Sequence, residues 1–165
     1  SNYIMSSLPL VQVPADSLRT KSREITREEL TSAKIQTLID DMAETMDVEG
    51  GVGLAAPQIG EHLRIIVVAR KTGTEAYINP EITQRSLRKM KSEEACLSIP
   101  GVVGIVQRHK VVSIKALDRN GAEVLIPDLG GFMSVVFQHE IDHLDGILFI
   151  DRAKKISHAK GDVLV

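Results

Sequence analysis

His139 and His143 stand four residues apart in Gln138-His139-Glu140-Ile141-Asp142-His143-Leu144, an H-E-x-x-H pattern inside an apolar run. On a helix that spacing is roughly one turn, so both imidazoles project from the same face. Two rings stacked in this way can hold one divalent metal ion. Glu140 beside them can take a proton from water that the ion activates. The competing reading is a helix that happens to carry two histidines, and the pattern does recur in unrelated sequences. Other donors in the chain have to decide between the two.

A hydrolytic site of this type needs three protein ligands and one open position. A third histidine six residues after the second would complete one large class of metalloproteases, but Phe149 stands there. Another class uses a glutamate downstream, and no Glu follows Glu140. The remaining candidate is Cys96, the only cysteine, in Glu94-Ala95-Cys96-Leu97-Ser98. Its neighbours look polar and loop-like, and a thiolate donates more charge to a metal than a third imidazole would. A lone cysteine is otherwise most often a small core residue. A third segment, Gly51-Val52-Gly53-Leu54-Ala55-Ala56-Pro57-Gln58, permits close backbone approach and ends in an amide donor. Alone, it reads as tight packing between elements.

The elements that must position these groups are legible from periodicity. Pro9 and Pro14 mark an extended arm through Glu24. Thr26 and Glu29 form a capping-box pattern, and Leu30, Ile35, Leu38, Ile39, Met42 and Met46 follow helical spacing, predicting an amphipathic helix over 26–46. Gly50, Gly51 and Gly53 end it. The β-branched run 64–69 predicts a buried strand, and Tyr77-Ile78-Asn79-Pro80 a short strand closed by a turn. Residues 110–117 and 122–126 flank Asn120-Gly121, a hairpin signal. The last helix is predicted from Gly131 to Leu144, with 147–150 returning as a strand or turn. A helix, several antiparallel strands and a final helix carrying H-E-x-x-H make an α+β fold, expected as a single domain over residues 1–165.

Composition narrows the function. A net charge of -2 gives no basic excess for nucleic acid, and no Trp, two Tyr and three Phe leave little surface for stacking on bases. No apolar run approaches the ~20 residues of a membrane span. One cysteine excludes an intramolecular disulfide and suits a reducing compartment. The N-terminus lacks the basic start and apolar core of a signal peptide.

Taken together, the three segments resemble the peptide deformylase family, which carries G-φ-G-φ-A-A-x-Q, E-G-C-φ-S and Q-H-E-φ-D-H-L in this order. The likeness covers nearly the whole chain, including the arm from Val11 to Arg19. It implies a metal-dependent hydrolase that removes the formyl group from formyl-methionine on new bacterial or organellar polypeptides, near the ribosome exit region, in the cytoplasm of a bacterium or in an organelle of a eukaryote. The implied metal ligands are Cys96, His139 and His143. They would hold one divalent ion, iron(II) natively, with zinc, nickel or cobalt able to substitute. Glu140 is the implied acid–base group, and the Gln58 side chain and Leu97 N–H the implied oxyanion donors. Val52, Gly53, Glu94 and Ala95 would line the substrate cleft. Phe132, Val135 and Val136, one to two turns before His139, would line an apolar pocket for the methionine side chain. Asp142 is expected to face away from the metal, with Arg108 as its partner.

The chain departs from the family pattern at three places. Ala95 replaces the glycine before the cysteine, Val103 an arginine that many members carry, and Gly50 an acid just before the first motif. Two alternatives stand beside the deformylase reading. A metallopeptidase cutting internal bonds is disfavoured by Cys96 and by the lack of a downstream third ligand. A formyl-peptide-binding relative without turnover is kept open by Ala95 and Val103.

Overall fold

The computed structural model describes residues 6–158. The arm makes a turn at Val13-Pro14 and a short helical turn at Asp16–Arg19, and then reaches the first capped helix. There Thr26 Oγ1 accepts from the Glu29 N–H (3.1 Å) and a Glu29 carboxylate oxygen accepts from the Thr26 N–H (2.8 Å), forming the capping box.

The continuous helix predicted over 26–46 is two helices, α1 (Arg27–Leu30) and α2 (Ala33–Glu49). Ser32 makes the break. Its hydroxyl donates to the Glu29 carbonyl at 2.6 Å and accepts from the Ile35 N–H at 3.3 Å, closing one helix and capping the next. Gly50 ends α2 in the left-handed conformation (φ 70°).

Seven strands follow before the last long helix: β1 (Gly53–Ala55), β2 (Ile65–Arg70), β3 (Gly73–Arg85), β4 (Lys89–Cys96), β5 (Ile99–His109), β6 (Val111–Leu117) and β7 (Glu123–Gly130). Then come α3 (Gly131–Leu144), α4 (Phe149–Arg152) and β8 (Lys155–His158). A five-stranded antiparallel sheet has the order β1-β2-β3-β6-β7, and a three-stranded one the order β4-β5-β8. The α+β architecture is as the sequence predicts, including the hairpin at Asn120-Gly121 and the limits of α3.

Two local expectations are corrected. Residues 77–80 are not a short strand with a turn but the middle of the 13-residue β3. Asn79 takes a left-handed φ of 51°, its side-chain amide binds the Ile25 N–H and C=O, and the ladder shifts register between Ile78 and Glu81. Pro80 falls in that gap, where no ladder donor is required. Residues 147–150 are neither strand nor turn alone. The Asp151 carboxylate accepts from the Leu148 N–H (2.9 Å) and starts α4 at Phe149.

Strand β2 explains why its sequence is apolar at successive positions. Ile65 and Val67 join the core formed with α2 through Ile35, Leu38, Ile39, Met42 and Met46. Ile66 and Val68 join the core formed with α3 through Val136, Phe137, Ile141 and Leu144. Alternate side chains thus bury on opposite faces, and the larger sheet is covered on both. A third cluster of Leu18, Cys96, Ile99, Val106, Leu148 and Phe149 packs beside the smaller sheet.

Replacing Thr26 by Ala should lower unfolding free energy by about 1 kcal/mol, the usual worth of a side-chain cap. Urea unfolding monitored by circular dichroism measures it, and an unchanged midpoint would show that the capping box adds no net stability.

Candidate metal centre

From Ser134 onward every residue of α3 is buried, including Gln138, His139, Glu140, Asp142 and His143. His139 and His143 lie one above the other with ring centroids 5.1 Å apart. Cys96 ends β4 opposite Ile99, so a tight turn at Leu97-Ser98 presents its sulfur to the helix. The ligand atoms of Cys96, His139 and His143 all lie within 4.8 Å of one another, and Cys96 Sγ is 3.3 Å from His143 Nε2. Tetrahedral bonds of ordinary metal–nitrogen and metal–sulfur length need donors roughly 3.3–3.6 Å apart, so the set can close on one ion with small adjustments. The expectation that Cys96 sits among loop-like polar residues is corrected: it is 1% exposed, at a strand end against Leu148 and Phe149.

His139 is oriented from behind. His139 Nδ1 donates to Glu94 (2.9 Å), which leaves Nε2 buried with no protein partner. The His139 ring also stacks on Phe149, at a centroid distance of 6.0 Å. Gln58 comes from the helical turn Ala56–Ile59, with its carbonyl oxygen accepting from the Ala55 N–H (2.9 Å). That contact aims the amide NH2 toward Cys96 Sγ (3.6 Å) and Ser98 Oγ (3.2 Å). Both oxygens of Glu140 are buried and have no protein partner among the described residues.

Behind the rings lies a buried ionic chain. Arg108 grips Glu94 with Nε (2.9 Å) and Nη2 (2.8 Å), and its Nη1 binds Asp142 (2.7 Å). Arg152 closes on Asp142 from outside through two bonds of 2.7 and 2.9 Å. Burial alone would raise the Glu94 carboxyl, but hydrogen bonds from Arg108 and His139 outweigh it and hold it at about 2. Burial also opposes a charged His139, yet Cys96 and Glu94 raise it to about 10. Metal binding at Nε2 would compete with that proton. Burial pushes Glu140 up to about 7, against the pull of His139. Burial and the neighbouring His139 charge hold His143 well below its ordinary range.

The Polypeptide deformylase family model matches residues 7–159. The chain belongs to that family. A peptide deformylase of Symbiobacterium thermophilum is 46% identical over 161 residues, spanning 96% of this chain and 72% of its own. One from Pelotomaculum thermopropionicum is 44% identical, over 92% of this chain and 95% of its own. Among solved structures, a Met-Ala-Ser-bound class I type b peptide deformylase from Acinetobacter baumannii has TM-score 0.85 at 34% identity, covering 90% and 99% of the two chains. The actinonin complex of the Ehrlichia chaffeensis enzyme has TM-score 0.84 at 38% identity, covering 92% and 91%. The chain is thus a deformylase-family hydrolase, with one cysteine and two histidines placed to hold a metal. Among the described residues no helix is long and apolar enough to cross a membrane.

The deformylase fold separates the residues expected to line the cleft. Glu94 does not present its carboxylate to a substrate, because that group is committed to His139 and Arg108. Val135 and Val136 are both buried, Val136 in the core with Ile66, Val68 and Tyr77; Val52 packs partly buried against that core, and Phe132 is half-exposed. Ala95 is buried at a register shift between Glu94 and Cys96. Val103 lies opposite Ser157 of β8, and Gly50 serves as the left-handed cap of α2. Leu97 packs its side chain into the α2 core. The Arg108–Asp142 contact expected from sequence is present. The roles of Arg152 and Phe149 are additions from the structure. Arg152 follows Asp142 by ten residues across a helix end, and the sequence carries no spacing signal for that contact.

The ionic chain has a pH consequence. Glu94 titrates at about 2 here, against an ordinary 4.5, so its stabilising contribution is complete above pH 4.5 and is lost as pH falls toward 2. Glu94→Gln should therefore lower stability at neutral pH and flatten the acid limb over that window. Urea unfolding at several pH values measures both, and an acid limb as steep as wild type would exclude Glu94 as a source of it.

Proposed function

We propose that this chain is a metal-dependent amide hydrolase that removes the formyl group from N-terminal formyl-methionine of newly made polypeptides. The observation that carries the reading is the buried convergence of Cys96, His139 and His143 beside an unpartnered Glu140 carboxylate. Iron(II) is the proposed native ion, with zinc, nickel or cobalt as substitutes. Such an ion supplies Lewis acidity, which brings the pKa of water from 15.7 to about 7.

The chain's own residues do the rest. Glu140, buried beside the two histidines, is placed to accept a proton from the nucleophile and to pass it to the leaving amine. As the formyl carbon becomes tetrahedral its oxygen gains charge. The Gln58 amide, already aimed by Ala55, and the Leu97 N–H are the donors proposed to meet it. Strand β1 is the end strand of the larger sheet, and pairing of an extended peptide along it is the proposed mode of substrate binding. Val52, Val135 and Phe132 would take the apolar side chain. The Met-Ala-Ser bound to the Acinetobacter baumannii enzyme is what deformylation of a formylated tripeptide would leave. Helix α3 packs into the larger sheet's core and is hydrogen-bonded to Glu94 of the smaller sheet, which supports one metallohydrolase domain. The reading places the activity where formylated chains are made, in the bacterial cytoplasm.

Wild-type protein loaded with iron(II) or nickel should release formate and free amine from formyl-Met-Ala-Ser, without internal cleavage. Cleavage between residues with no formate would overturn the reading. Glu140→Gln should keep its metal while kcat falls by about 10²–10⁴-fold, the worth of a general base. Near-normal turnover would assign the proton elsewhere. Cys96→Ala, measured by elemental analysis, should lose most of its metal. Occupancy equal to wild type would remove the sulfur from the ligand set.

A further inference from the structure

Glu140 is wholly buried, and neither carboxylate oxygen has a protein hydrogen-bond partner among the described residues. A group with no protein hydrogen bond to aim it is directed by what it packs against. At Gly53 a Cβ would stand 2.6 Å from Glu140 Oε2, 2.9 Å from Cγ and 3.0 Å from Cδ, and these three nearest heavy atoms all belong to that one side chain. The backbone does not require glycine here. Gly53 sits in β1 paired with Val68, and its φ is outside the left-handed region. The demand is one of space. The floor is also rigid, since β1 is buried and the adjoining Ala69 N–H is bonded to the Val52 carbonyl at 2.9 Å.

We propose that Gly53 is a positioning residue: its bare backbone is the surface on which the Glu140 carboxylate rests, fixing the point at which that carboxylate exchanges protons. The second glycine of this G-x-G segment therefore serves the helix across the site, and not only a peptide approaching the strand. The role rests on Glu140 as the proton carrier, but the contact itself does not.

The test compares wild type, Gly53→Ala, Glu140→Ala and the double variant, each with its metal content measured. Gly53→Ala should keep one metal per chain and lose about 10–100-fold in kcat, the scale of a displacement near 1 Å. KM for formyl-Met-Ala-Ser should stay near wild type, because the side chain displaced is not one that holds the peptide. Its melting temperature should fall below wild type, and that loss should vanish when the same change is made in Glu140→Ala, where the arm is gone. If Gly53→Ala alone fails to fold, recovery of folding in the double variant demonstrates the same contact. An unchanged kcat, a rise confined to KM, or equal melting losses in both backgrounds would overturn the proposal. Full turnover by Glu140→Gln would instead bring down the proton role itself, leaving the melting comparison to report on the contact.

Discussion

Helix α3 must bury five polar side chains within six residues, Gln138, His139, Glu140, Asp142 and His143, and the rest of the structure answers to that constraint. Burying an uncompensated charge or polar group costs several kcal/mol, and all of them but Glu140 find a partner outside the helix. Most of those partners come from the β4–β5 hairpin. Glu94 takes His139, Arg108 takes Glu94 and Asp142 together, and the His109 backbone takes Gln138. The smaller sheet is thereby tied to a helix whose apolar face belongs to the larger one. The ion pairs register these pieces against each other. Arg108 suits that task because its planar fork satisfies two carboxylates at once.

Compensation is selective. Atoms that orient the site are satisfied: His139 Nδ1, the Gln58 carbonyl, both oxygens of Asp142. Among the described residues, His139 Nε2 and both oxygens of Glu140, atoms suited to chemistry, have no protein partner, and neither has His143 Nδ1. A fold selected for stability alone would satisfy or remove those groups, since each is buried at a cost. Their grouping within one helical turn, beside a cysteine sulfur, makes the cost intelligible as preorganisation for a metal and a proton-transfer step.

Packing supplies what hydrogen bonds leave undetermined. Phe149 lies flat beside His139, and Gly104 clears space for that ring, since a Cβ there would come within 2.9 Å of it. Gly51 does the same for Leu97, again at 2.9 Å. The site is walled by backbone and aromatic surface, which limits water and strengthens each remaining electrostatic interaction.

Much is legible in the chain before folding. The four-residue histidine spacing, the capping box at Thr26, the β-branched run of β2 and the Asn-Gly hairpin depend only on local geometry, so their residue types speak directly. Three motifs in one order identify the family, and eliminating other ligands singles out Cys96. Contacts far apart in sequence are a different matter. Arg152 reaches Asp142 around a helix end, and Phe149 begins a short helix instead of a strand because of the Asp151 cap. The Glu94 carboxylate turns inward because burial beside Arg108 and His139 leaves it no cheaper position. Ser32 divides a helix whose apolar period alone looks continuous. Sequence determined which groups could do chemistry, because side-chain type and local period suffice for that. Only the tertiary structure decided which of them are satisfied and which remain available, because those outcomes depend on partners brought in from distant strands.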